Sequence, residues 1–311
     1  MTSVGKIAFC FPGQGSLEEG MGRDIAEAVP EALAVFETGT RASGLDLKKL
    51  SFDDPLEGLF ETEVQQPALV TASLAVLAAL TARGIRPDFV VGHSVGEYAA
   101  LAAAEAMSTE TAIALVRERG IATAAAAREH PGAMAAILGL DDDVVEQICA
   151  GIPGVWPANY NCPGQIVVSG ENQAVEQFIA TAQEAGARRA VMLKVSGAFH
   201  SPLVASAADR LRPAVEEIQF NEPRVPFFST VTAQAEPAAR IGSLLVEQLT
   251  TPVKFTQSVG ALVREGVGTF VEVGPGTVLS GLVKRIDRSV TAVSVNNLAA
   301  LNKLGDLLAA G

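Results

Sequence analysis

The hydrophobic and polar positions follow two periods along the chain. Short runs of β-branched and aromatic residues, such as 6–11 and 88–91, are followed by longer stretches of alanine and other helix formers. The short runs indicate buried strands, and the longer stretches indicate helices that pack against them. Strands that alternate with helices form a mostly parallel sheet covered by helices. The pattern therefore predicts an α/β fold, with an acidic helix at 24–43 and an apolar helix at 67–83.

The middle of the chain has a different order of predicted elements. Six short units read as strand, helix, strand, strand, helix and strand, which is the order of a ferredoxin-like split unit. Farther on, long helices and isolated strands return, among them 225–229 and 269–273. We therefore expect a small ferredoxin-like α+β domain (128–196) inserted into a discontinuous large domain (1–127 and 197–311). The six units are 132–140, 142–150, 155–161, 165–169, 171–185 and 188–195.

The segment Gly92-His93-Ser94-Val95-Gly96 lies where a strand-like run changes into a run of helix formers. A Gly-x-Ser-x-Gly sequence in this context is typical of the nucleophile elbow of α/β-hydrolases. The glycines permit a tight turn, and the first amides of the next helix point free N–H groups at an oxyanion. Ser94 is therefore a candidate nucleophile, and we expect the large domain to be α/β-hydrolase-like. The alternative is a Gly-rich turn with an incidental serine.

A serine nucleophile needs a base, and the chain has three histidines. His93 adjoins Ser94, where neighbouring side chains diverge, so we interpret it as structural. His130 lies in the loop that leads into the middle segment. His200 lies in the loop that returns from it and is the best candidate base. No acidic residue before His200 stands out as a third member, because 141–143 read as a solvated helix start, so a carbonyl or an amide is expected to orient the imidazole.

Two further segments carry candidate chemistry. The Gly-rich turn 12–16 follows the first strand and could bring a backbone amide to the oxyanion, although its alternative is a plain turn. It lacks the lysine of a phosphate-binding loop. Arg119 lies in a run of charged residues (115–120) for which surface ion pairs are the default interpretation. The sharper hypothesis is that this arginine turns inward and holds a substrate carboxylate by two parallel hydrogen bonds.

Composition narrows the class of protein. With 311 residues, 49% hydrophobic and 19% charged, the chain is expected to fold into a large core. A net charge of -12 argues against nucleic acid and anionic membranes as partners. Its three cysteines show neither disulfide-framework nor metal-ligand spacing, so no metal is expected. The uncharged stretch 64–82 contains glutamine, proline, serine and threonine, which predicts no membrane span and, with no leader sequence seen, a cytoplasmic protein.

Seven ordered motifs spread over nearly the whole chain resemble those of the malonyl-CoA:acyl carrier protein transacylase family, the acyltransferases of fatty acid and polyketide synthesis. A set of seven is far more specific than any one of them. They are FPGQGS at 11–16, QQPAL at 65–69, GHSVGEY at 92–98, RG at 119–120, NYNCPGQ at 159–165, GAFHSP at 197–202 and VEVGPG at 271–276.

The resemblance implies a role for each catalytic position. Ser94 would be the nucleophile and His200 its base. The backbone amides of Val95 and Gln14 would form the oxyanion hole. The main-chain carbonyl of Gln248 would orient His200, which would account for the missing acid.

The resemblance also implies a substrate. The arginine directly before glycine, Arg119 and not Arg117, would bind the free carboxylate of malonate. Phe199 before the histidine and Val95 after the serine resemble the malonyl-selecting pattern, although core packing is the alternative explanation for Phe199. Two further positions match recurring family residues near the cleft, namely Gln66 and Asn161.

These residues imply ping-pong transfer of malonyl from coenzyme A, through a serine ester, to the phosphopantetheine thiol of an acyl carrier protein. No cofactor is expected, because both thioesters are substrates. Candidate cations for docking the acidic carrier protein are Lys284, Arg285, Arg188 and Arg189. Two alternatives stay open: a serine hydrolase of acyl-CoA or acyl carrier protein (a proofreading thioesterase), and a non-catalytic binding subunit.

Overall fold

The computed structural model describes residues 5–53 and 56–309. Ten strands and thirteen α-helices are found in this part of the chain. The strands are β1 Lys6–Phe11, β2 Phe89–Gly92, β3 Ala133–Leu138, β4 Val155–Cys162, β5 Gln165–Gly170, β6 Arg189–Met192, β7 Phe227–Ser229, β8 Gln234–Ala235, β9 Val267–Val273 and β10 Thr291–Val295. The helices are α1 Arg23–Ala28, α2 Pro30–Ser43, α3 Leu47–Phe52, α4 Thr62–Ala82, α5 Gly96–Ala103, α6 Thr109–Glu129, α7 Asp142–Gly151, α8 Asn172–Glu184, α9 Ala205–Glu216, α10 Ala238–Glu247, α11 Phe255–Arg264, α12 Val278–Ile286 and α13 Leu298–Ala309.

The larger of two sheets has six strands in the order β10-β9-β1-β2-β7-β8. All of its neighbours pair in parallel except β7 and β8, which form an antiparallel pair at one edge. The prediction of a mixed α/β fold built on a parallel sheet is confirmed. Because β1 lies between β9 and β2, the loops that follow these three strands meet at one end of the sheet, which is where ligands bind in open α/β sheets.

Both faces of this sheet are covered, as its alternating side chains require. Phe9 and Phe11 of β1 pack into one apolar cluster with α2, α4, α5 and α6. Ala8 and Cys10, which point to the opposite face, pack into a second cluster with α11 and α12. The strand is therefore buried on both sides.

The helix α4 is the centre of the larger cluster and is buried around most of its circumference. By length and composition it could cross a membrane, but 78% of its most apolar window lies inside the protein. An all-round apolar helix is what the core of a large domain requires. Pro67 lies inside this helix and has no N–H to donate to the Glu63 carbonyl. The Arg117 guanidinium donates to that carbonyl instead.

The smaller sheet is antiparallel, with the strand order β4-β5-β3-β6, and α7 and α8 pack on it. The chain passes through these elements in the predicted order of strand, helix, strand, strand, helix and strand. They enclose a core of their own, in which Ile137, Val168 and Phe178 are buried. The last strand is shorter than the predicted 188–195, because only Arg189–Met192 pairs with β3.

One predicted helix was wrong. The segment 24–43 forms two helices, because Val29 is extended, with φ -128°, and Pro30 starts α2 at its first turn. A proline disfavours helical geometry in the residue before it, which explains the break. Of the predicted large domain (1–127 and 197–311), residues 1–4, 54, 55, 310 and 311 lie outside the described residues.

Candidate active site

The elbow has the predicted arrangement, with β2 ending at Gly92 and α5 beginning at Gly96. Ser94 has φ 53°, a left-handed conformation that non-glycine residues adopt at a cost and that clusters at functional sites. A Cβ atom at Gly92 would overlap the backbone of Gly96, and one at Gly96 would overlap the Phe11 carbonyl. Glycine at both positions therefore lets the turn lie against β1 and present Ser94 at the end of the sheet.

Ser94 and His200 are brought together although 106 residues separate them. Ser94 Oγ lies 2.8 Å from His200 Nε2, while His200 Nδ1 lies 2.9 Å from the Gln248 carbonyl and 3.2 Å from the Thr251 carbonyl. A carbonyl oxygen only accepts hydrogen bonds, so Nδ1 carries the proton and Nε2 accepts from the serine hydroxyl. The predicted carbonyl of Gln248 therefore occupies the place of the third acid.

The electrostatics keep this histidine neutral. Burial, and secondly the positive charge of Arg119, lower the pKa of His200 to about 3. The imidazole is therefore an unprotonated base at neutral pH, although a weak one. An anion placed beside Arg119 would offset the second of these effects and strengthen the base.

Arg119 turns inward from α6, as the sharper hypothesis required, and is only 3% exposed. Its Nη1 donates to Gln66 Oε1 at 2.8 Å, and its Nη2 donates to Ser94 Oγ and to Gln248 Oε1, each at 3.1 Å. Its Nε is buried without an acceptor, and no carboxylate of the described residues lies within 4.0 Å. Burial lowers the pKa of this guanidinium. The hydrogen-bond partners of this buried cation are thus all neutral, and the charge of Glu97 acts on it only from beyond them.

The two residues predicted to form the oxyanion hole lie in the elbow and in the turn after β1. Val95 is the N-cap of α5, and Gln14 lies in the turn after β1 and lines the cavity. The Gln14 side chain is fixed by hydrogen bonds with Gln65 and Gln66. The Val95 side chain is wholly buried in the larger cluster and is absent from the cavity wall, so only its backbone is available to a substrate.

These groups face a cavity of about 240 Å³ between the two sheets. Phe199 and Leu249 form part of its wall on one side, and Asn161 and Val167 of the smaller sheet form part of the other. Gln66 is fully buried behind Arg119 and does not line the cavity. It was predicted to bind substrate; in this structure its Oε1 accepts a hydrogen bond from Arg119 Nη1.

His93, which the sequence led us to interpret as structural, lines the cavity. Its ring lines the cavity beside Ser94, with Nε2 2.9 Å from Asn161 Oδ1 and the ring centroid 5.6 Å from that of Phe255. Its enclosure lowers the pKa of this imidazole, so it too is neutral. The hydrogen bond links the elbow to β4 of the smaller sheet. The sequence signal for this position was a histidine next to the nucleophile. We interpreted it as structural because adjacent side chains diverge.

The remaining candidates lie apart from this cavity. His130 is exposed at the end of α6, and Arg117 is engaged with the carbonyl freed by Pro67. Within residues 5–53 and 56–309, no three histidine, cysteine or acidic side chains are grouped to hold a metal ion. The three cysteines are free and buried.

An α/β protein that presents an elbow serine, a neutral histidine and a buried arginine in one cavity has the arrangement of the serine enzymes that work through an acyl ester. Residues 8–306 match the model of the acyl transferase domain. The chain belongs to the acyl transferase family, and its named relatives are malonyl-CoA:acyl carrier protein transacylases.

Three relatives illustrate the similarity. The malonyl CoA-acyl carrier protein transacylase of Bacillus subtilis is 44% identical over 299 residues, which cover 94% of each chain. The structure of malonyl-CoA:acyl carrier protein transacylase from Xanthomonas oryzae is 42% identical, with a TM-score of 0.94 and 99% of each chain covered. A malonyl-transacylase solved in complex with a type II polyketide acyl carrier protein is 39% identical, with a TM-score of 0.93, covering 96% of this chain and 98% of that one.

Proposed function

We propose that this protein is a malonyl-CoA:acyl carrier protein transacylase, which moves a malonyl group from coenzyme A to the phosphopantetheine thiol of an acyl carrier protein. The observation that carries the proposal is the buried Arg119 guanidinium, which lies 3.1 Å from Ser94 Oγ and whose hydrogen-bond partners are all neutral. A malonyl ester on Ser94 has a free carboxylate that can accept two parallel hydrogen bonds from this guanidinium. The names of the relatives support the same substrate.

The first half-reaction uses the serine and histidine. His200 Nε2 takes the hydroxyl proton as Ser94 Oγ attacks the thioester carbonyl of malonyl-CoA. The tetrahedral intermediate collapses, the carbon–sulfur bond breaks, and the coenzyme A thiolate leaves with the proton from His200. The Gln248 carbonyl holds the imidazole in the required tautomer and stabilises its transient charge.

The second half-reaction reverses these steps with a different thiol. His200 takes the proton of the phosphopantetheine thiol, the sulfur attacks the Ser94 ester, and the serine oxygen leaves with that proton. The backbone amides of Val95 and Gln14 stabilise the oxyanion in both halves. Support for this role is the position of Val95 at the start of α5, where the helix dipole favours negative charge. One such donor typically contributes about 10²-fold or more to the rate.

Selection of the acyl group rests on Arg119 and Phe199. Arg119 favours acyl groups that carry a carboxylate, and the phenyl ring of Phe199 narrows the cavity beside the carbon that bears it. The Val95 side chain has no direct part, because it faces the core. The neutral pair of His93 and Asn161 supplies a further polar wall for the acyl or pantetheine chain.

Two finer points of architecture belong to this proposal. The large body (1–127 and 197–311) is an α/β-hydrolase-like domain, and the elbow between β2 and α5 supports this. The segment 128–196 is an inserted ferredoxin-like domain, and its strand order β4-β5-β3-β6 supports this. The cavity then lies between a catalytic domain and an insert that closes over it.

The carrier protein is the expected partner, and neither nucleic acid nor membrane has a role. A relative has been solved with a type II polyketide acyl carrier protein. The four cations proposed to dock the acidic carrier are exposed, and Arg285 Nη1 donates to Gln165, a residue of the cavity wall, at 2.6 Å. The docking set is Lys284, Arg285, Arg188 and Arg189. The reaction needs no cofactor, and a cytoplasmic location places the enzyme with both thioester substrates.

The competing function is a hydrolase that would use the same Ser94 and His200. The experiment that separates them supplies labelled malonyl-CoA with holo-carrier protein and follows both products. We expect the label on the carrier protein, with free malonate a minor product. Label found only as malonate would favour the hydrolase, and no labelled enzyme at any time would favour a non-catalytic subunit. Apo-carrier protein, which lacks the thiol, is the matched control.

A further inference from the structure

Glu97 is a fully buried carboxylate one turn after the nucleophile, and the mechanism above does not use it. Its Oε1 accepts hydrogen bonds from the Thr230 N–H at 2.5 Å, from Thr230 Oγ1 at 2.7 Å and from Ser229 Oγ at 3.4 Å. Its Oε2 accepts from Nε2 of Gln248. These donors come from the last residue of β7, from the residue that follows it, and from the residue after α10, so Glu97 connects α5 with the ends of β7 and α10.

Gln248 lies between Glu97 and both functional side chains. Its Nε2 donates to Glu97, its Oε1 accepts from Arg119 Nη2 at 3.1 Å, and its main-chain carbonyl accepts from His200 Nδ1 at 2.9 Å. A carboxylate accepts and a guanidinium donates, so only one of the two orientations of this amide satisfies both neighbours. The Gln248 side chain is therefore held as a relay with a defined polarity.

We propose that Glu97 is a positioning residue that fixes the orientation of the Gln248 amide and thereby aims the Arg119 guanidinium at the acyl group on Ser94. The proposal rests on the proposed function, because it assumes that Arg119 binds the carboxylate of the acyl group. Burial raises the pKa of Glu97 to about 7, so an assay at pH 8 keeps it mainly ionised. Burying a charged carboxylate costs free energy. The four hydrogen bonds to Glu97, and its connection through Gln248 to the Arg119 cation, offset that cost.

Glu97→Gln tests the relay with little change in volume. The amide oxygen introduced at 97 can still accept from Thr230, but its NH₂ group then faces the NH₂ group of Gln248. Relief of this clash requires the Gln248 amide to turn over, which presents a donor to Arg119. We expect kcat/KM for malonyl loading to fall about tenfold to a hundredfold, the size of one hydrogen bond to a charged group, while acetyl loading changes less than threefold.

The double variant Glu97→Gln/Gln248→Met tests whether Glu97 acts through the Gln248 amide. Methionine at 248 has a similar length and leaves in place the main-chain carbonyl that accepts from His200, but it has no amide to connect residue 97 with Arg119. If Glu97 acts only through that amide, its replacement has no further effect once the amide is gone. We therefore expect the ratio of malonyl to acetyl loading to fall in Gln248→Met and to differ less than threefold between Gln248→Met and the double variant.

Glu272→Gln is the matched control. Glu272 is another buried carboxylate in the large body, but it accepts from the Leu279 and Ser280 N–H groups at the start of α12 and contacts none of the relay. A purely structural role for Glu97 would lower the thermal midpoint as this control does and would reduce malonyl and acetyl loading by the same factor.

The outcomes are decisive in either direction. Selective loss of malonyl loading in Glu97→Gln, with no further selective loss when it is added to Gln248→Met, supports the relay. Equal losses for both acyl groups, no loss, or selective losses that multiply in the double variant overturn it. If Glu97→Gln does not fold, Glu97→Asp takes its place in both backgrounds, because the shorter side chain withdraws its carboxylate from the Gln248 amide, and the same two results decide. Failure of the wild-type protein to prefer malonyl-CoA over acetyl-CoA would instead refute the proposed function.

Discussion

Arg119→Ala is the substitution that tests substrate recognition most sharply. It removes the cation from a site that is 3% exposed and leaves the oxygens of Gln66 and Gln248 without their donor. The malonyl carboxylate would then enter a buried place with no positive charge within reach. Removing one partner of a buried ion pair costs about 3–5 kcal/mol, because the other charge stays buried and uncompensated.

At about 1.4 kcal/mol for each tenfold change, this cost predicts a fall in kcat/KM for malonyl loading of about 10²- to 10³-fold or more. Acetyl loading should fall much less, because an acetyl group has no charge to compensate. It loses only the hydrogen bond from Arg119 to Ser94 Oγ. Removal of the cation also relieves the electrostatic lowering of the pKa of His200, which partly offsets that loss.

The assay measures the rate of label uptake on the protein from malonyl-CoA and from acetyl-CoA, before carrier protein is added. Arg117→Ala is the matched control, because that arginine lies two residues away and donates to the Glu63 carbonyl outside the cavity. It should slow both acyl groups by the same small factor. Equal losses for malonyl and acetyl in Arg119→Ala would refute the view that this guanidinium recognises the carboxylate.

Three further predictions concern the cavity, the elbow and the base. Phe199→Ala should raise the ratio of methylmalonyl to malonyl loading about tenfold, since one methyl group in an apolar pocket is worth about 1–3 kcal/mol. Direct competition between the two thioesters measures this ratio. An unchanged ratio would assign Phe199 to core packing. Gly96→Ala should lower the free energy of unfolding in urea by about 1–3 kcal/mol or more and abolish acylation, because the added Cβ overlaps the Phe11 carbonyl. A variant with wild-type stability would contradict the elbow geometry. Because the pKa of His200 is about 3 in the folded protein and about 6.5 when unfolded, its contribution to stability is complete above pH 6.5 and is lost as the pH falls towards 3, at up to about 1.4 kcal/mol per pH unit. Urea unfolding of the wild type and of His200→Ala at several pH values checks this, and identical pH dependence in both would contradict it.

The parts of the fold that sequence could predict are those fixed by local periodicity. Short-range patterns predict the strand and the helix on either side of Ser94. They also predict the four strands of the smaller sheet and the two helices that pack on it. The break at Pro30 was also predictable, because proline restricts the residue before it. The helix at 24–43 was extended across that proline only because its apolar spacing continued.

The candidate site was predictable where a motif marks it and unpredictable where it depends on contacts distant in sequence. Positions 117 and 119 differ by about 200° around a helix, so only one of two such arginines can face inward, but the sequence alone does not say which. The resemblance chose Arg119, which is the arginine that the structure places on the cavity wall. Glu97 and the side chain of Gln248 meet across 151 residues, and nothing local indicates that contact. For the same reason, nothing local indicates that the side chains of Gln66 and Val95 lie off the cavity wall.

The central claim is that Ser94 holds a malonyl group between two thiols. The most direct measurement isolates the protein after a short exposure to labelled malonyl-CoA, maps the label by mass spectrometry of its peptides, and then adds holo-carrier protein. We predict one malonyl group on the peptide that contains Ser94, no label in Ser94→Ala, and transfer of the label to the carrier thiol faster than its release as malonate. Label on another residue, label retained in Ser94→Ala, or release to water alone would contradict the account.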